Sequence, residues 1–151
     1  MFKKKLVICK NLNIFKVNYL NFNETGMTAE EIVLGGYKNF AEGDMESLSK
    51  LYHPECKITI NGSHSLSGTF IGFQSFLENV LAKLDKVWPG FNLDIEKVVS
   101  NETDVCVFVN ITAENLNSKS IHHFVIKDGL EVEFNLYDDS QKMSQAMKDI
   151  N

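Results

Sequence analysis

Between Met27 and Gly68 the chain reads MTAEEIVLGGYKNFAEGDMESLSKLYHPECKITINGSHSLSG, a stretch that leaves few choices of fold. Thr28 followed three residues later by Glu31 is a capping box, with Glu30 also favouring the positive helix end. Ile32, Val33, Tyr37 and Phe40 then recur at helical spacing. Gly35 and Gly36 weaken an isolated helix, so close packing is expected there. Gly43 ends this helix and Asp44 caps a second one, whose inner face is Met45, Leu48, Leu51 and Tyr52 and which Pro54 stops. The run CKITI at 56–60 alternates, placing Cys56, Ile58 and Ile60 on one face of a strand. A polar, glycine-punctuated loop, NGSHSLSGT, follows at 61–69.

The remaining pattern is one more helix and then strands. Phe73, Phe76, Leu77, Val80, Leu81, Leu84 and Val87 form one helical stripe over Gly72–Trp88, closed by Pro89-Gly90. FNLDIEKVV at 91–99 alternates, and 101–104 is a turn. In the strand 105–115, Val105, Val107, Val109 and Ile111 share one face and Cys106, Phe108, Asn110 and Thr112 the other. KSIHHFVI at 119–126 and LEVEFNLYD at 130–138 flank Asp128-Gly129, a hairpin signal. In the last strand Leu130, Val132, Phe134 and Leu136 share a side. The polar tail 139–151 holds a short helix with Met143 and Met147 at helical spacing. Helices first and a strand meander after them make an α+β pattern, with sequential strands as hairpin partners. The helices cover one face of a curved sheet, and that arrangement leaves a pocket between the layers.

Charge and cysteine usage narrow the partners. Residues 1–26 carry five lysines against one acid, which leaves ten lysines against nineteen acids in the rest, and the chain has no arginine. An acidic body without arginine is unsuited to phosphate backbones, so no nucleic-acid partner is expected. Cys9, Cys56 and Cys106 form no CxxC pair and fit a reducing, cytoplasmic setting. No run approaches 18 apolar residues, so no membrane partner is expected. Three lysines before LVIC imitate a signal peptide, but the apolar run breaks at Lys10-Asn11 and no small-residue cleavage site follows. Residues 1–26 are expected to be a loosely attached extension, with Met27 as a candidate natural start and one domain over 27–151.

The segments YKNFAEGDMESLSKLYHPECKITING, SGTFIGFQSFLENV, WPGFNLDIEKVVSNETDVCVFVNITAEN and HHFVIKDGLEVEFNLYDDS resemble the nuclear-transport-factor-2-like proteins, nearest their SnoaL-like and ketosteroid-isomerase-like members. The similarity covers roughly 27–140 and rests on structural motifs. It implies a cone of three helices against a curved antiparallel sheet, the cystatin-like arrangement, with one apolar pocket and a homodimer. Implied pocket residues are Ile60, Asn61, Trp88, Phe108, Asn110, Phe124, Phe134 and Leu136. The position of the family's carboxylate base falls at Ile60, beside Asn61, and neither can take a proton at neutral pH. Its helix-one tyrosine falls at Gly36, next to Tyr37, and its third position, a hydrogen-bond donor, falls at His122.

His122 shares its strand face with Phe124 and Ile126 and is the leading candidate, since an imidazole titrating near neutrality can donate or accept a proton. The alternative is a hydrogen-bonded strand histidine. Tyr37 and Asp138 are the expected helpers, with Asp138 orienting His122. Acids after a strand, Asp138 and Asp139 among them, are usually solvated turn residues, and that reading is the favoured one for both. His64 and Asn61 are loop residues beside the pocket, and Asn110 with Thr112 marks either the pocket or a wet interface. His123 faces away from His122, so the pair cannot share a metal, and no metal is expected. The reading is a cofactor-independent isomerase, cyclase or hydratase acting on a small apolar or polycyclic molecule. Its competitor is a non-catalytic ligand-binding or dimerisation module of the same fold.

Overall fold

The computed structural model describes residues 26–149. The extension expected over 1–26 lies outside them except for Gly26. Helix α1 (Ala29–Glu42) starts at the expected capping box: the Glu31 N–H donates to Thr28 Oγ1 at 3.2 Å and the Thr28 N–H to Glu31 Oε2 at 2.8 Å. Gly43 ends it in the left-handed region at φ 73°. Asp44 then caps α2 (Met45–Ser49) by accepting from the Ser47 N–H.

The second helix is shorter than its apolar pattern predicts. Leu51 and Tyr52 leave it because the chain is drawn into the sheet: Leu51 C=O accepts from the Glu131 N–H at 2.8 Å, and Tyr52 opens strand β1 (Tyr52–Ile60). Pro54 therefore lies in a strand, not at a helix end. It sits where the pairing of β1 is irregular, between Tyr52 and Lys57, and there its missing N–H breaks no ladder bond.

The segment 61–69 contains the start of a short strand absent from the sequence reading, β2 (Gly68–Ile71), which pairs back on β1. The helix expected over Gly72–Trp88 is broken into α3 (Phe73–Asn79), a 3-10 turn (Leu81–Lys83) and α4 (Leu84–Val87). The break is at Val80, whose backbone (φ −124°, ψ −67°) leaves the helical region while its side chain stays buried. Four strands then run as an antiparallel meander: β3 (Asn92–Ser100), β4 (Asp104–Ala113), β5 (Leu116–Lys127) and β6 (Leu130–Asp138). The β5–β6 turn has positive φ at Asp128 and Gly129, as its Asp-Gly signal predicts. A short helix α5 (Ser140–Gln145) follows, with Met143 buried.

The six strands form one curved, unclosed sheet in the order β2-β1-β6-β5-β4-β3. All neighbours are antiparallel except β1 and β6, which are parallel. The inner face carries Val105, Val107, Val109 and Ile111, each at most 2% exposed. At roughly 1.5–3 kcal/mol for each fully buried aliphatic side chain, this row is a main source of cohesion between sheet and helices. No helix among the described residues is long and apolar enough to cross a membrane.

Gly72 joins β2 to α3 at φ 77°, ψ 155°, a conformation open essentially to glycine alone. Its N–H donates to Cys56 C=O at 2.8 Å, and a Cβ there would lie 2.7 Å from Pro54 O. Gly72→Ala should cost about 2–3 kcal/mol from backbone strain and the clash, read as a lowered urea midpoint at unchanged slope.

Candidate functional site

The helices and the inner face of the sheet flank a cavity that is open to solvent on one side. Its wall is mostly apolar. Phe124 and Phe134 stack at 4.1 Å between ring centroids, and Phe76 meets Phe134 edge-on. Trp88, Phe91, Leu84 and Met143 line it as well. The indole N–H of Trp88 donates to Met143 C=O at 3.0 Å, which ties α5 to the end of α4.

Tyr37 and His122 meet inside this wall. One residue past the position the resemblance indicates, Tyr37 nevertheless turns inward, because Gly36 has no side chain and Leu48 and Leu51 pack close to it. The Tyr37 hydroxyl lies 2.6 Å from His122 Nδ1. Burial holds the Tyr37 hydroxyl well above its usual range, and the negative charges of Glu131 and Asp138 raise it further. Tyr37 therefore keeps its proton and donates a hydrogen bond to Nδ1, which places the imidazole's own proton on Nε2. His122 is 4% exposed, and burial pushes its pKa down to about 3. The expectation of an imidazole titrating near neutrality is thus corrected: His122 is neutral at physiological pH, and its Nε2 is buried without a partner.

Asp138 lines the cavity but does not orient His122. It accepts a short hydrogen bond from Ser120 Oγ, two residues away from His122 on β5. Burial raises its pKa, opposed by the Ser120 hydroxyl and by His64. Asn61, by contrast, does not line the cavity. It holds the Asp138 backbone, donating from Nδ2 to the C=O at 2.9 Å and accepting the N–H at 3.0 Å. His64, on the loop, does line the cavity. Its Nδ1 accepts from the Leu66 N–H at 3.3 Å, which leaves Nε2 as the protonated nitrogen, buried and without a partner.

Ile60, Trp88, Phe124, Phe134 and Leu136 line the cavity as the resemblance implies. Phe108 and Asn110 do not. The inner face of β4 belongs to Val105, Val107, Val109 and Ile111, so strict alternation sends Phe108 and Asn110 to the outer face. There Lys97 Nζ sits 5.8 Å from the centroid of the Phe108 ring. His123 faces outward as expected and pairs with Asp104 at 2.8 Å.

Glu131 is the residue that sequence reasoning missed. Alternation back from Phe134 puts Val132 inside and Glu131 in solvent. The pairing of β6 with β5 slips between Val125 and Ile126, opposite Glu133 and Glu131, so Val132 is the extra residue of a bulge. The slip turns Glu131 onto the cavity face, where it is 1% exposed. Burial raises its pKa to about 8, opposed by hydrogen bonding from Tyr52. Its Oε2 has no partner. The one signal in the sequence is its place two residues after Asp128-Gly129, where bulges are frequent at a hairpin end.

Architecture and cavity together define a helix-backed cone of the cystatin-like kind. No family model and no curated protein matches the sequence. Solved structures do. A nuclear-transport-factor-2-like protein from Burkholderia thailandensis superposes with a TM-score of 0.73 at 19% identity, over 82% of this chain and 99% of its own. A cystatin-like-fold protein from Xanthomonas campestris gives 0.70 at 21% identity, over 82% and 100%. TerC, co-crystallised with polyporic acid, gives 0.68 at 22% identity, over 78% and 95%. The chain has the nuclear-transport-factor-2-like fold.

Two buried groups dominate the expected pH dependence of stability. His122 is neutral when folded but takes a proton near pH 6.5 when unfolded, so stability is lost as pH falls from about 6.5 toward 3. Glu131 stays protonated when folded but loses its proton near 4.5 when unfolded, so stability is lost as pH rises from 4.5 toward about 8. The two slopes oppose each other between 4.5 and 6.5. Thermal melts should therefore show a plateau there and a decline on both sides. Glu131→Gln should remove the alkaline decline, a gain of about 3 kcal/mol near neutrality relative to acid, and leave the acid one.

Proposed function

We propose that the cavity binds a small, largely apolar organic molecule and that the protein is a cofactor-independent enzyme of isomerase, cyclase or hydratase type. One observation carries this reading: three buried polar atoms without partners among the described residues, His64 Nε2, His122 Nε2 and Glu131 Oε2, belong to residues that line one apolar cavity. Buried polar groups are rarely left unpaired, and a few polar groups in an apolar wall are what orient a ligand. His122 presents an N–H to a ligand oxygen, with its tautomer fixed by Tyr37. Asp138, held by Ser120 and Asn61, is the candidate for proton exchange. TerC, a fold neighbour, is known with polyporic acid, which supports a small organic ligand.

The competing reading is a non-catalytic binding module, favoured by Ile60 at the place where the resemblance puts a carboxylate base. A thermal-shift screen against steroids, polyketide-like aromatics, terpenoids, small acids and polyporic acid tests both. A hit should stabilise the protein by about 2.7 kcal/mol at a hundredfold excess over Kd. His122→Ala should abolish that shift while the unliganded protein still melts cooperatively. Asp138→Asn should keep the shift and, for an enzyme, lose turnover by about a hundredfold or more. Binding without turnover of any hit selects the module, and a blank panel rejects the ligand reading.

We also propose a homodimer built on the outer face of β4. Asn110 Oδ1 is buried there without a partner beside the half-buried Phe108, and a second copy would cover both. Sedimentation should show a dimer that Phe108→Asp converts to a folded monomer. A monomeric parent chain would refute it.

A further inference from the structure

Among the described residues, the cavity wall has carboxyl groups but no cation. Its titratable members are Tyr37 on α1, Tyr52 on β1, His64 on the loop, His122 on β5, and Glu131 and Asp138 on β6. No lysine among the described residues lines it, and the chain has no arginine. Both imidazoles are held down by burial, so neither supplies a positive charge at neutral pH. The backbone amides near Glu131 are committed to the sheet: its own N–H donates to Leu51 C=O. Among the described residues, nothing in the wall neutralises an anion.

Glu131 lies at the junction of three elements. Its Oε1 would be 3.6 Å from a Cβ at Gly36 of α1, so the absent side chain there is what gives the carboxyl room. Tyr52 of β1 is its register partner and its hydrogen-bonding neighbour. Cys56, further along β1, is held up as a thiol by burial and by the nearness of Glu131 and Glu133. Among the described residues, every group facing Glu131 is thus neutral or acidic, and its Oε2 has no partner.

We propose that Glu131 is the charge-selecting residue of the cavity: it meets the ligand as an uncharged carboxyl donor, so the site takes a neutral carbonyl compound and refuses the matching carboxylate. The inference rests on the reading of the cavity as a ligand site and adds the chemical class of ligand. A carboxylate ligand would need its charge desolvated beside a second acid with no cation to offset it, and a buried unpaired charge is among the costliest arrangements in a protein. A ketone oxygen instead accepts a hydrogen bond from the carboxyl O–H that Glu131 retains. By linkage, ketone binding then falls as pH rises through the titration of Glu131 and holds that proton on when bound.

The test uses the full chain and two flat, apolar probes that differ in charge, acetonaphthone and naphthoate, with carboxyl-carbon NMR on glutamate-labelled protein as a readout independent of any ligand. In the wild type the Glu131 resonance, assigned by its loss in Glu131→Gln, should titrate well above the ordinary carboxylate range. At about pH 6 acetonaphthone should bind at least tenfold more tightly than naphthoate. Above the Glu131 titration its affinity should drop about tenfold per pH unit. Glu131→Gln, which keeps an uncharged N–H donor, should bind the ketone without that pH dependence, and Glu131→Leu should weaken it at least tenfold at every pH. A Glu131 that titrates like an exposed carboxylate, or naphthoate bound as tightly as the ketone, overturns the proposal. A blank for both probes with Glu131 still titrating high overturns the ligand-site reading instead, a failure that the NMR titration tells apart.

Discussion

Strand β6 pairs along both of its edges, antiparallel with β5 and parallel with β1, and the cavity exists because one strand satisfies both ladders at once. The meander β3–β4–β5–β6 arises from short connections and would form an open antiparallel sheet unaided. Only the parallel pairing of Ile58 with Phe134 and of Ile60 with Leu136 brings the helical N-terminal half against the inner face. The two ladders have different geometries, and each shows an irregularity near the same end of β6. The bulge at Val132 accommodates that mismatch, and its by-product is a buried acid.

A buried carboxyl is costly when charged, and the fold handles it by keeping it protonated. The same solution recurs across the cavity. Tyr37 and Tyr52 keep their hydroxyl protons, and His122 refuses a second one. Burial is the largest cause in each case, so the polar groups form a set of neutral donors and acceptors in a low-dielectric wall. Hydrogen bonds in such surroundings are strong when made and expensive when left open. The Tyr37–His122 bond is made, and the open positions are those a ligand would fill.

Much of the frame was legible in the residues. Capping box, Gly43, Asp44 and the Asp-Gly turn are local signals, each acting over a few residues, and all four behave as their chemistry requires. Alternation put His122 on one strand face with Phe124 and separated the valine row of β4 from Phe108 and Asn110, without deciding which face of β4 is the inner one. The pocket role expected of Phe108 and Asn110 fails because the fold turns the valine face of β4 inward and theirs outward. The failures are tertiary. Tyr52 has helical spacing with Leu48 yet joins a strand, because pairing with Glu131 outweighs one more helical turn. Val80 continues an apolar stripe, yet its backbone breaks the helix so that the segment can bend around the cone while its side chain stays buried.

By itself the sequence determined the helices' starts, the strand meander and the absence of arginine from any site. Those properties are set by contacts within a few residues or by composition. Tertiary structure alone decided that β1 joins β6 in parallel, that Tyr37 reaches His122 across 85 positions of chain, and that Glu131 faces the cavity. Each of these depends on two distant segments meeting in one register. A slip of one residue exchanges the inside of a strand for the outside, and a bulge makes that slip where no local signal dictates it.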